Sequence, residues 1–484
     1  MNQTNNQKIN NSKIYHIHFI GICGVAMSAL AIAFHKKGYK VTGSDKGFYP
    51  PVSTYLKEAG VPYYPGWHVE KMLARHSDSE GGTKEGNPNL VIVGNVAGSN
   101  NPEWMYTQEK KLKYKSYPEA IAEFFVKENS IVCAGTFGKT TTTSLLSWIL
   151  QENNFDPSYM FGGISLNDMP AAKLTDSKYS ILEGDEYKSA RWDDGAKFFH
   201  YSPTHLLLTS VVWDHADVYP TEQSYFEAFE KLLGNLPESG LLVTSERVKK
   251  EMLDFAKCKK ITYGPSEGND YHYKNVVVNK QGLQFTIVHD DKNFEIKSPL
   301  LGEYLVDDMT ASFAMAHEMG IDAEKIIASL ETYKNVKRRL EKRLDGQITV
   351  IDDIAHSPQK ASSVLQTLKR IYNDGRVIAI FEPNSGNRQK EAIAGYANKF
   401  SDADLVIIPR LTTIKQAPGE EISIEGEELT EIISKTQKNV IYIDDDEKLV
   451  DYILKNSKPN DVVTFLGSHG FRNMIESVTS KISQ

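Results

Sequence analysis

The chain has 484 residues, which is too many for a single hydrophobic core and predicts two to four domains. Hydrophobic residues make up 40% and charged residues 24% of the chain, a composition typical of globular proteins in water. The formal net charge of −8 argues against general binding to nucleic acids or membrane surfaces, so an anionic ligand needs a local group of donors.

Two features bear on the cellular compartment. The polar stretch Met1–Asn11 lacks the apolar core of a signal peptide, and no apolar run approaches the roughly 20 residues that span a bilayer. The cysteines Cys23, Cys133 and Cys258 lie far apart and form no CxxC pair, which fits a reducing environment. We therefore expect a soluble, cytoplasmic protein.

The first segment begins with a strand, a glycine turn and a helix. The strand IYHIHFI leads into Gly21–Gly24 and a helix that ends near Gly38, and further strands are predicted at Tyr39–Asp45 and Asn89–Asn95. The polar, glycine-rich stretch His76–Asn89 has no periodicity and is predicted to be a loop. Strands alternating with helices indicate a parallel α/β sheet.

The second segment carries the sharpest motif, AGTFGKTTT at Ala134–Thr142, between a strand and an amphipathic helix. Small residues let backbone N–H groups face phosphate oxygens, and the start of a helix adds about half a positive charge. Lys139 is then expected to pair with the β- and γ-phosphates, and Thr140 to place its hydroxyl on Mg²⁺. The loop is the tighter GTxGKT form, because Cys133 stands where the generic pattern has glycine. The residues predicted to bind the nucleotide are Gly135, Thr136, Gly138, Lys139, Thr140 and Thr141.

Two later strand ends in this segment carry residues that can bind metals. Glu183, Asp185 and Glu186 follow the strand YSIL, and a carboxylate there suits Mg²⁺, with Glu183 the favoured ligand. Taken alone, this run could also be a solvated acidic turn. His215 and Asp217 follow the strand HLLLTSVV, where a lone histidine is more often structural than a ligand. Three strand ends carrying GKT, EGDE and DHAD in order nevertheless indicate a nucleotide–metal site.

From about Leu344 the chain alternates strands and helices again. Short apolar strands are predicted in ITVIDDIAHS, RVIAIFEP, DLVIIPR, NVIYID and VVTFLGS, with helical stretches between them. This pattern predicts a second doubly wound α/β domain.

The order of the three motifs resembles that of the Mur ligases, the amide ligases that build peptidoglycan, and the resemblance runs from His18 to about Met474. It implies an α/β protein of three domains. A Rossmann-like domain at 14–125 would bind a UDP-linked muramyl substrate, a P-loop domain at 126–336 would bind ATP, and a Rossmann-like domain at 337–484 would bind the incoming amine.

In the first domain, GICGVAM and TGSD look like the loop that holds the UDP diphosphate and the strand after it, although they could also be a plain strand–helix turn. The resemblance implies that backbone N–H groups around Gly21 and Gly24 face the diphosphate. The residues implied to bind this substrate are Gly21, Gly24, Ser44, Asp45 and Asn95.

Within the family, YPPVST, VIVGNVAGSNNPE, EGDEY, KFFHYSP and WDHADVYP resemble the muropeptide ligase branch, which attaches the tripeptide L-Ala–γ-D-Glu–meso-diaminopimelate to UDP-N-acetylmuramate. The branch that attaches L-alanine to the same sugar nucleotide remains the alternative. Other branches carry a carbamylated lysine about a dozen residues after the DHxD motif. Phe229 in its place here fits the two branches that use UDP-N-acetylmuramate.

The resemblance also implies roles in the third domain. Arg339, in the RRxE of the basic stretch KNVKRRLEKR, would contact ATP phosphates after domain closure, unless the stretch is only a solvated linker. In DDIAHSP, Asp353 would hydrogen-bond the ATP ribose, and His356 would lie beside the reacting centre or simply cap a helix. The turn GSHGF at Gly467–Phe471 resembles one that closes the amine pocket, and Arg388 is a candidate for binding a substrate carboxylate.

The sequence departs from the family at the nucleotide site. Phe137 stands where GTHGKT is usual, and Tyr304, Leu305 and Asp308 replace the His-Asn and Asn of the helix that meets adenine. None of these positions carries the phosphate or metal chemistry, so we expect an active enzyme. The alternatives are a nucleotide-binding protein without ligase activity and a P-loop ATPase or kinase with unrelated flanking domains.

Together these features predict an ATP- and Mg²⁺-dependent ligase that joins UDP-N-acetylmuramate to a peptide or an amino acid through an acyl phosphate. We expect a monomer or weak homodimer with no nucleic-acid or membrane partner. Catalytic roles are implied for Lys139, His215, Arg339 and His356, and metal ligation for Thr140, Glu183 and His215.

Overall fold

The computed structural model describes residues 15–77, 83–215, 218–413 and 424–483. The predictions for Met1–Asn11 and for Asp217 therefore lie outside the described residues. The chain forms two compact units. The first runs to Tyr273 and includes Ile287–Phe294 and Asp307–Leu330, and the second contains Lys274–Thr286, Glu295–Val306 and the chain from Glu331 onward.

The first sheet of the first unit has the strand order β3-β2-β1-β6-β7, with parallel pairing throughout. Its strands are β1 (His16–Ile20), β2 (Lys40–Asp45), β3 (Tyr63–Pro65), β6 (Leu90–Val93) and β7 (Tyr114–Ser116), and β4 (Ala74–Ser77) and β5 (Thr83–Gly86) form a separate hairpin. The helices are α1 (Val25–Lys36), α2 (Val52–Glu58), α3 (Val69–Met72), α4 (Pro102–Glu109) and α5 (Tyr117–Phe124).

The hairpin corrects one prediction, because β4 ends and β5 lies within the stretch His76–Asn89 that was predicted to be a loop. Strands are recognised in sequence by apolar alternation, which this polar stretch lacks. Antiparallel pairing depends on backbone hydrogen bonds, and these need no apolar pattern.

The second sheet of this unit carries the order β10-β9-β11-β8-β14-β15-β16. Its strands are β8 (Asn129–Ala134), β9 (Ser158–Met160), β10 (Ala172–Lys173), β11 (Tyr179–Gly184), β14 (His205–Leu208), β15 (Leu241–Ser245) and β16 (Lys259–Gly264), with β12 (Lys188–Ala190) and β13 (Asp193–Ala196) forming another hairpin. The helices are α6 (Lys139–Glu152), α7 (Glu222–Gly234) and α8 (Lys250–Leu253), with a 3₁₀ turn at Lys197–His200. Strand β8 lies between β11 and β14, parallel to both, so that their carboxyl ends share one edge.

Five elements within residues 271–332 each contribute residues to both units. They are β17 (Tyr271–Asn279), β18 (Gly282–His289), β19 (Lys292–Ser298), α9 (Tyr304–Glu318) and α10 (Ala323–Thr332).

The sheet of the second unit has the order β20-β21-β25-β22-β23-β24. Its strands are β20 (Glu341–Leu344), β21 (Thr349–Asp353), β22 (Val377–Glu382), β23 (Leu405–Pro409), β24 (Val440–Ile443) and β25 (Val462–Gly467). The helices are α11 (Pro358–Ile371), α12 (Gly426–Ser434), α13 (Asp446–Asn456) and α14 (Met474–Ile482), with 3₁₀ turns at Ser385–Arg388, Lys390–Tyr396 and Phe471–Asn473. The predicted strands are all present, and parallel pairing confirms the α/β class.

Strand β20 was not predicted. It is the antiparallel edge strand of this sheet and begins inside the basic stretch KNVKRRLEKR, which would otherwise suggest a linker. Charged residues are common on edge strands because one side of the strand faces water. Within the described ranges, no helix is both long enough and apolar enough to cross a membrane.

Candidate active site

The predicted phosphate loop joins β8 to α6 in the structure. Gly135 and Gly138 have φ angles of 134° and 81°, in the region that favours glycine. A Cβ on Gly135 would overlap the Thr209 hydroxyl, and one on Gly138 would lie 2.5 Å from Oδ1 of Asp308. The loop therefore requires glycine at both positions, and it delivers the chain to the N-terminus of α6, where N–H groups and the helix dipole favour an anion.

Among the other loop residues, the side chains of Thr136 and Thr141 have structural positions, whereas Lys139 and Thr140 lie at the start of the helix. Thr136 braces the loop, since its hydroxyl donates to the Val212 carbonyl at 2.8 Å and its N–H donates to Ser210 O at 3.0 Å. Thr141 is buried on the inner side of α6. The N–H groups in the first turn of a helix have no intrahelical acceptor, so those of Lys139 and Thr140 could donate to an anion, and phosphate binding by them stays a prediction.

Lys139 is held beside a buried carboxylate. Its Nζ donates to Gly135 O at 2.6 Å and to Oε1 of Glu186 at 3.0 Å. The Glu186 side chain is 1% exposed and its Oε1 also lies 3.3 Å from Nε2 of His215. The structure thus brings the predicted Lys139 and His215 together through Glu186, a residue for which the sequence suggested no separate role although it belongs to the EGDE run.

Thr140 and Glu183 form the second contact of this site. The Thr140 hydroxyl donates to Oε1 of Glu183 at 2.7 Å, and the Gly162 N–H donates to Oε2 at 2.5 Å. Burial raises the pKa of Glu183, opposed by these hydrogen bonds and by the charge of Lys139. A hydroxyl and a carboxylate held together are hard oxygen donors of the kind that Mg²⁺ takes alongside phosphate oxygens, so the residues present fit this ion.

In the glycine turn after β1, most backbone N–H groups donate hydrogen bonds to acceptors within the protein. Gly21 and Ile22 donate to the Ser44 carbonyl at 2.9 and 3.0 Å, and the Cys23 N–H donates to Oδ2 of Asp45 at 2.8 Å. Gly21 has a φ of 88°, and a Cβ there would lie 2.5 Å from the Val96 side chain. The prediction named N–H groups around Gly21 and Gly24, and since the first three N–H groups of this turn are already paired within the protein, a diphosphate contact here stays a prediction. The N–H groups left for an anion are those at the start of α1.

Ser44 and Asp45 also contribute to the structure of the turn. The Ser44 side chain is completely buried and donates to Glu103, while the Asp45 carboxylate caps the glycine turn. Gly24, with φ −60° and ψ 140°, is the N-cap of α1 and needs no glycine-specific conformation. Asn95 is exposed just beyond the end of β6, at the same edge of the sheet. Substrate contacts by these residues stay predictions.

Glu103 is a second buried carboxylate that the sequence did not single out. Besides Ser44, it accepts from Tyr64 OH at 2.7 Å and from the His68 N–H at 2.8 Å, and His18 Nε2 lies 3.4 Å away. Burial alone would raise the pKa of Glu103, but hydrogen bonds from His18, Ser44 and Tyr64 outweigh it and hold the pKa below its usual 4.5. The only sequence signal was an acidic residue in the first turn of α4.

In the second unit, the predicted residues cluster after β21. Both carboxylate oxygens of Asp353 accept backbone N–H groups, from Leu340 and Ala355, each at 2.8 Å. His356 places Nδ1 2.8 Å from the Ile354 carbonyl, and burial lowers its pKa. Arg339 is half-buried beside them. A ribose or phosphate contact by these residues stays a prediction.

Arg388, the candidate for binding a substrate carboxylate, is buried and bonded to its own unit. Its side chain is 2% exposed, and its guanidinium donates to Ile424 O at 2.9 Å, to Thr412 O at 2.7 Å and to Glu425 Oε1 at 2.7 Å. In the structure Arg388 therefore ties together segments of its own unit. Binding of a substrate carboxylate would require some of these contacts to break.

The four departures from the family pattern also have defined positions. Phe137 is 57% exposed on the phosphate loop, and Tyr304 is 43% exposed at the start of α9. Leu305 is fully buried, and Asp308 accepts a hydrogen bond from the Thr142 hydroxyl at 3.3 Å. Asp308 therefore places a carboxylate against the helix that follows the phosphate loop.

Three family models match successive parts of the chain. They are described as "Mur ligase family, catalytic domain" for residues 16–128, "Mur ligase middle domain" for residues 133–316 and "Mur ligase, glutamate ligase domain" for residues 338–469. Three matched domains confirm the predicted three-domain architecture.

Relatives and solved structures match over nearly the full length. A UDP-N-acetylmuramate–L-alanyl-γ-D-glutamyl-meso-2,6-diaminoheptandioate ligase of Haemophilus influenzae is 30% identical, covering 96% of this chain and 99% of its own. The enzyme of the same name from Escherichia coli is 28% identical, covering 94% and 95%. The crystal structure of a UDP-N-acetylmuramate–alanine ligase from Thermotoga maritima matches with a TM-score of 0.75 at 22% identity, covering 97% of this chain and 99% of its own.

Proposed function

The chain belongs to the Mur ligase family, and we propose that it joins the tripeptide L-Ala–γ-D-Glu–meso-diaminopimelate to UDP-N-acetylmuramate. It is an ATP-dependent ligase that forms a C–N bond. The observation that carries the proposal is the cluster of Lys139, Thr140, Glu183 and His215 at the shared edge of β8, β11 and β14. A tripeptide is favoured over L-alanine because the Haemophilus and Escherichia relatives described above are named for that substrate.

Lys139 would neutralise charge on the β- and γ-phosphates of ATP. Its Nζ would exchange its contacts with Gly135 O and Glu186 for phosphate oxygens. Because Glu186 is buried and also contacts His215, it would keep both side chains in place during that exchange. Positioning and charge neutralisation are the main sources of catalysis in phosphoryl transfer.

Thr140 and Glu183 would hold Mg²⁺, and His215 would serve a second ion. The metal would supply charge neutralisation at the γ-phosphate and the muramyl carboxylate. The Glu183 carboxylate is already oriented by Thr140 and by the Gly162 N–H, so little rearrangement is needed on binding.

The reaction would proceed in two steps. A carboxylate oxygen of UDP-N-acetylmuramate attacks the γ-phosphorus, the bond from that phosphorus to the ADP oxygen breaks, and an acyl phosphate and ADP result. The amine nitrogen then attacks the acyl carbon, loses a proton and displaces inorganic phosphate. His356 would accept that proton. Its Nδ1 faces the Ile354 carbonyl and so carries hydrogen, which leaves Nε2 with a lone pair, and its lowered pKa keeps the ring neutral.

The UDP-sugar would bind at the first sheet. The start of α1 offers N–H groups to the diphosphate, and Asn95 lies exposed beyond the adjacent strand end. The buried Glu103 would act at a distance, by holding Ser44 and the Tyr64–His68 segment that surround this edge.

A competition assay tests the proposal. The protein is given ATP, Mg²⁺ and UDP-N-acetylmuramate with the tripeptide, with L-alanine, or with both, while phosphate release and the mass of the product are measured. We expect phosphate release only when an amine is present and a product carrying the tripeptide. Efficient use of L-alanine with no use of the tripeptide would replace this proposal by the alanine ligase alternative. Absence of turnover with either amine would favour a nucleotide-binding protein without ligase activity.

A further inference from the structure

The hairpin formed by β12 and β13 links the two sheets of the first unit. Its strands pair in antiparallel fashion, and Arg191 and Trp192 form the turn between them. The hairpin follows directly after the acidic run Glu183–Glu186 at the end of β11, in the second sheet. Its turn, in contrast, contacts residues that belong to the first sheet and to helix α4. One short segment therefore contacts both ligand-binding edges that the sequence predicted.

The turn of the hairpin is held on the first sheet by aromatic contacts. The Trp192 ring stacks on Trp104 of α4, with ring centroids 5.5 Å apart and planes inclined by 15°. Tyr114, the first residue of β7, meets the same ring in a T-shaped contact at 5.4 Å. Gly98, in the loop after β6, leaves room for the neighbouring Arg191, whose guanidinium lies 3.8 Å from where a Cβ on Gly98 would stand. Because aromatic pairs prefer such stacked and T-shaped geometries, these contacts fix the orientation of the turn.

The other end of the hairpin is attached to Asp185. Lys197, which follows β13, donates from Nζ to Oδ2 of Asp185 at 2.5 Å, and the Tyr187 N–H donates to Oδ1 at 2.9 Å. The Lys197 N–H donates to the Tyr187 carbonyl at 3.1 Å, which closes the base of the hairpin. The Tyr187 ring is in T-shaped contact with His215, with centroids 5.2 Å apart. Both ends of the hairpin are thus bound to the acidic run, and one of them contacts a predicted metal ligand.

Helix α4 extends this connection within the first sheet. Glu103 precedes Trp104 on the helix, and its buried carboxylate accepts hydrogen bonds from Ser44, Tyr64 and the His68 N–H. These residues surround the edge at which the UDP-sugar is proposed to bind. The hairpin and α4 therefore form a continuous packed path from that edge to the proposed metal site.

We propose that Trp192 is a positioning residue, and that the β12–β13 hairpin sets the separation between the UDP-sugar site and the metal site. The inference rests on the proposed function, in which the first sheet binds UDP-N-acetylmuramate and the second binds ATP. The muramyl carboxylate must then reach the γ-phosphorus, and a misplacement of about 1 Å can cost about 100-fold in rate. The hairpin thus governs the rate of acyl-phosphate formation without contacting either substrate.

The test separates binding of each substrate from the first chemical step. For wild type and Trp192→Ala, calorimetry gives the Kd of ATP with Mg²⁺ and the Kd of UDP-N-acetylmuramate, each measured alone. Hydroxylamine, which traps an acyl phosphate as a hydroxamate, gives the kcat of the first step. We expect both Kd values to stay within about twofold of wild type and the kcat to fall about 10–100-fold. Trp192→Phe keeps a ring for the stack and should restore the kcat to within about threefold of wild type.

The matched control is Phe155→Ala. Phe155 also belongs to an aromatic pair, with Tyr179 at 5.0 Å, but this pair lies at the amino end of β11, opposite to the end that carries Glu183. An equal fall in kcat for this control would overturn the proposal, because loss of a ring would then loosen the whole unit. An unchanged kcat in Trp192→Ala would also overturn it. So would a raised Kd for UDP-N-acetylmuramate with an unchanged kcat, since the turn would then bind the sugar nucleotide directly.

A second variant covers the case in which Trp192→Ala does not fold. Tyr114→Ala removes one of the two rings that contact Trp192, and Tyr114 is 42% exposed, so the fold should tolerate the change. Because Tyr114 lies on the first sheet, a lower kcat cannot come from a direct change at the metal ligands. We expect the hydroxamate kcat to fall about threefold to tenfold with both Kd values unchanged, and an unchanged kcat would rule out the proposal. Wild type that binds both substrates but forms no hydroxamate would instead count against the proposed ligase function.

Discussion

Replacing Arg388 by alanine tests two roles for this residue. The sequence suggests that it binds a substrate carboxylate, and the structure shows that it holds segments of its own unit together. In the structure the side chain is 2% exposed and donates to Ile424 O, Thr412 O and Glu425 Oε1. The alanine variant should therefore affect folding more directly than substrate binding.

The expected loss of stability follows from those three contacts. Two carbonyls lose a charged donor, and an unsatisfied buried acceptor costs about 1–3 kcal/mol. Glu425 is 67% exposed, so its carboxylate returns to water and adds little. Because the Thr412 carbonyl is only partly buried, we expect a total of about 3 kcal/mol, which lowers the Tm of a unit of this size by about 6–12 °C.

The assay is thermal and urea unfolding without ligands, followed by the KM for the tripeptide. Arg410→Ala is the control, since Arg410 is 57% exposed in its ion pair with Asp446 and should cost less than about 1 kcal/mol. Unchanged stability of Arg388→Ala together with a raised tripeptide KM would refute this reasoning and restore Arg388 as a substrate ligand.

The remaining predictions concern the two substrate sites. Lys139→Ala should abolish phosphate release while the protein remains folded, and a collapse of thermal stability without ligand would instead mark Lys139 as structural. Glu183→Ala should raise the Mg²⁺ concentration needed for half-maximal rate by about tenfold or more, as measured by Mg²⁺ titration. An unchanged titration would show that Glu183 is not a metal ligand. Gly24→Val should raise the KM for UDP-N-acetylmuramate but not for ATP, whereas Gly21→Ala should lower stability because its φ is 88°. Glu103 has a lowered pKa, so it stabilises the fold above pH 4.5 and that contribution is lost as pH falls through the folded pKa. When unfolding is measured from pH 7 to 3, the stability of Glu103→Gln should therefore fall less on acidification than that of the wild type.

The sequence was most informative where local backbone chemistry decides the structure. Gly135 and Gly138 have positive φ angles that few other residues tolerate, and Lys139 and Thr140 follow them at the start of a helix. A glycine-rich turn between a buried strand and an amphipathic helix can adopt few conformations, so the motif alone predicted the loop. Glu183 was predicted for a similar reason, because parallel strands bring their carboxyl ends to one edge.

The sequence was least informative about polar residues whose partners are distant in the chain. Glu103 contacts His18 across 85 positions, and Arg338 contacts Ser468 across 130. The sequence shows that Ser44, Arg388 and Glu103 are polar, but a polar side chain can face either a ligand or the protein's own backbone. Tertiary packing decides between them, because a buried polar group must find a hydrogen-bond partner, and the segment that supplies it is fixed only when the sheets assemble.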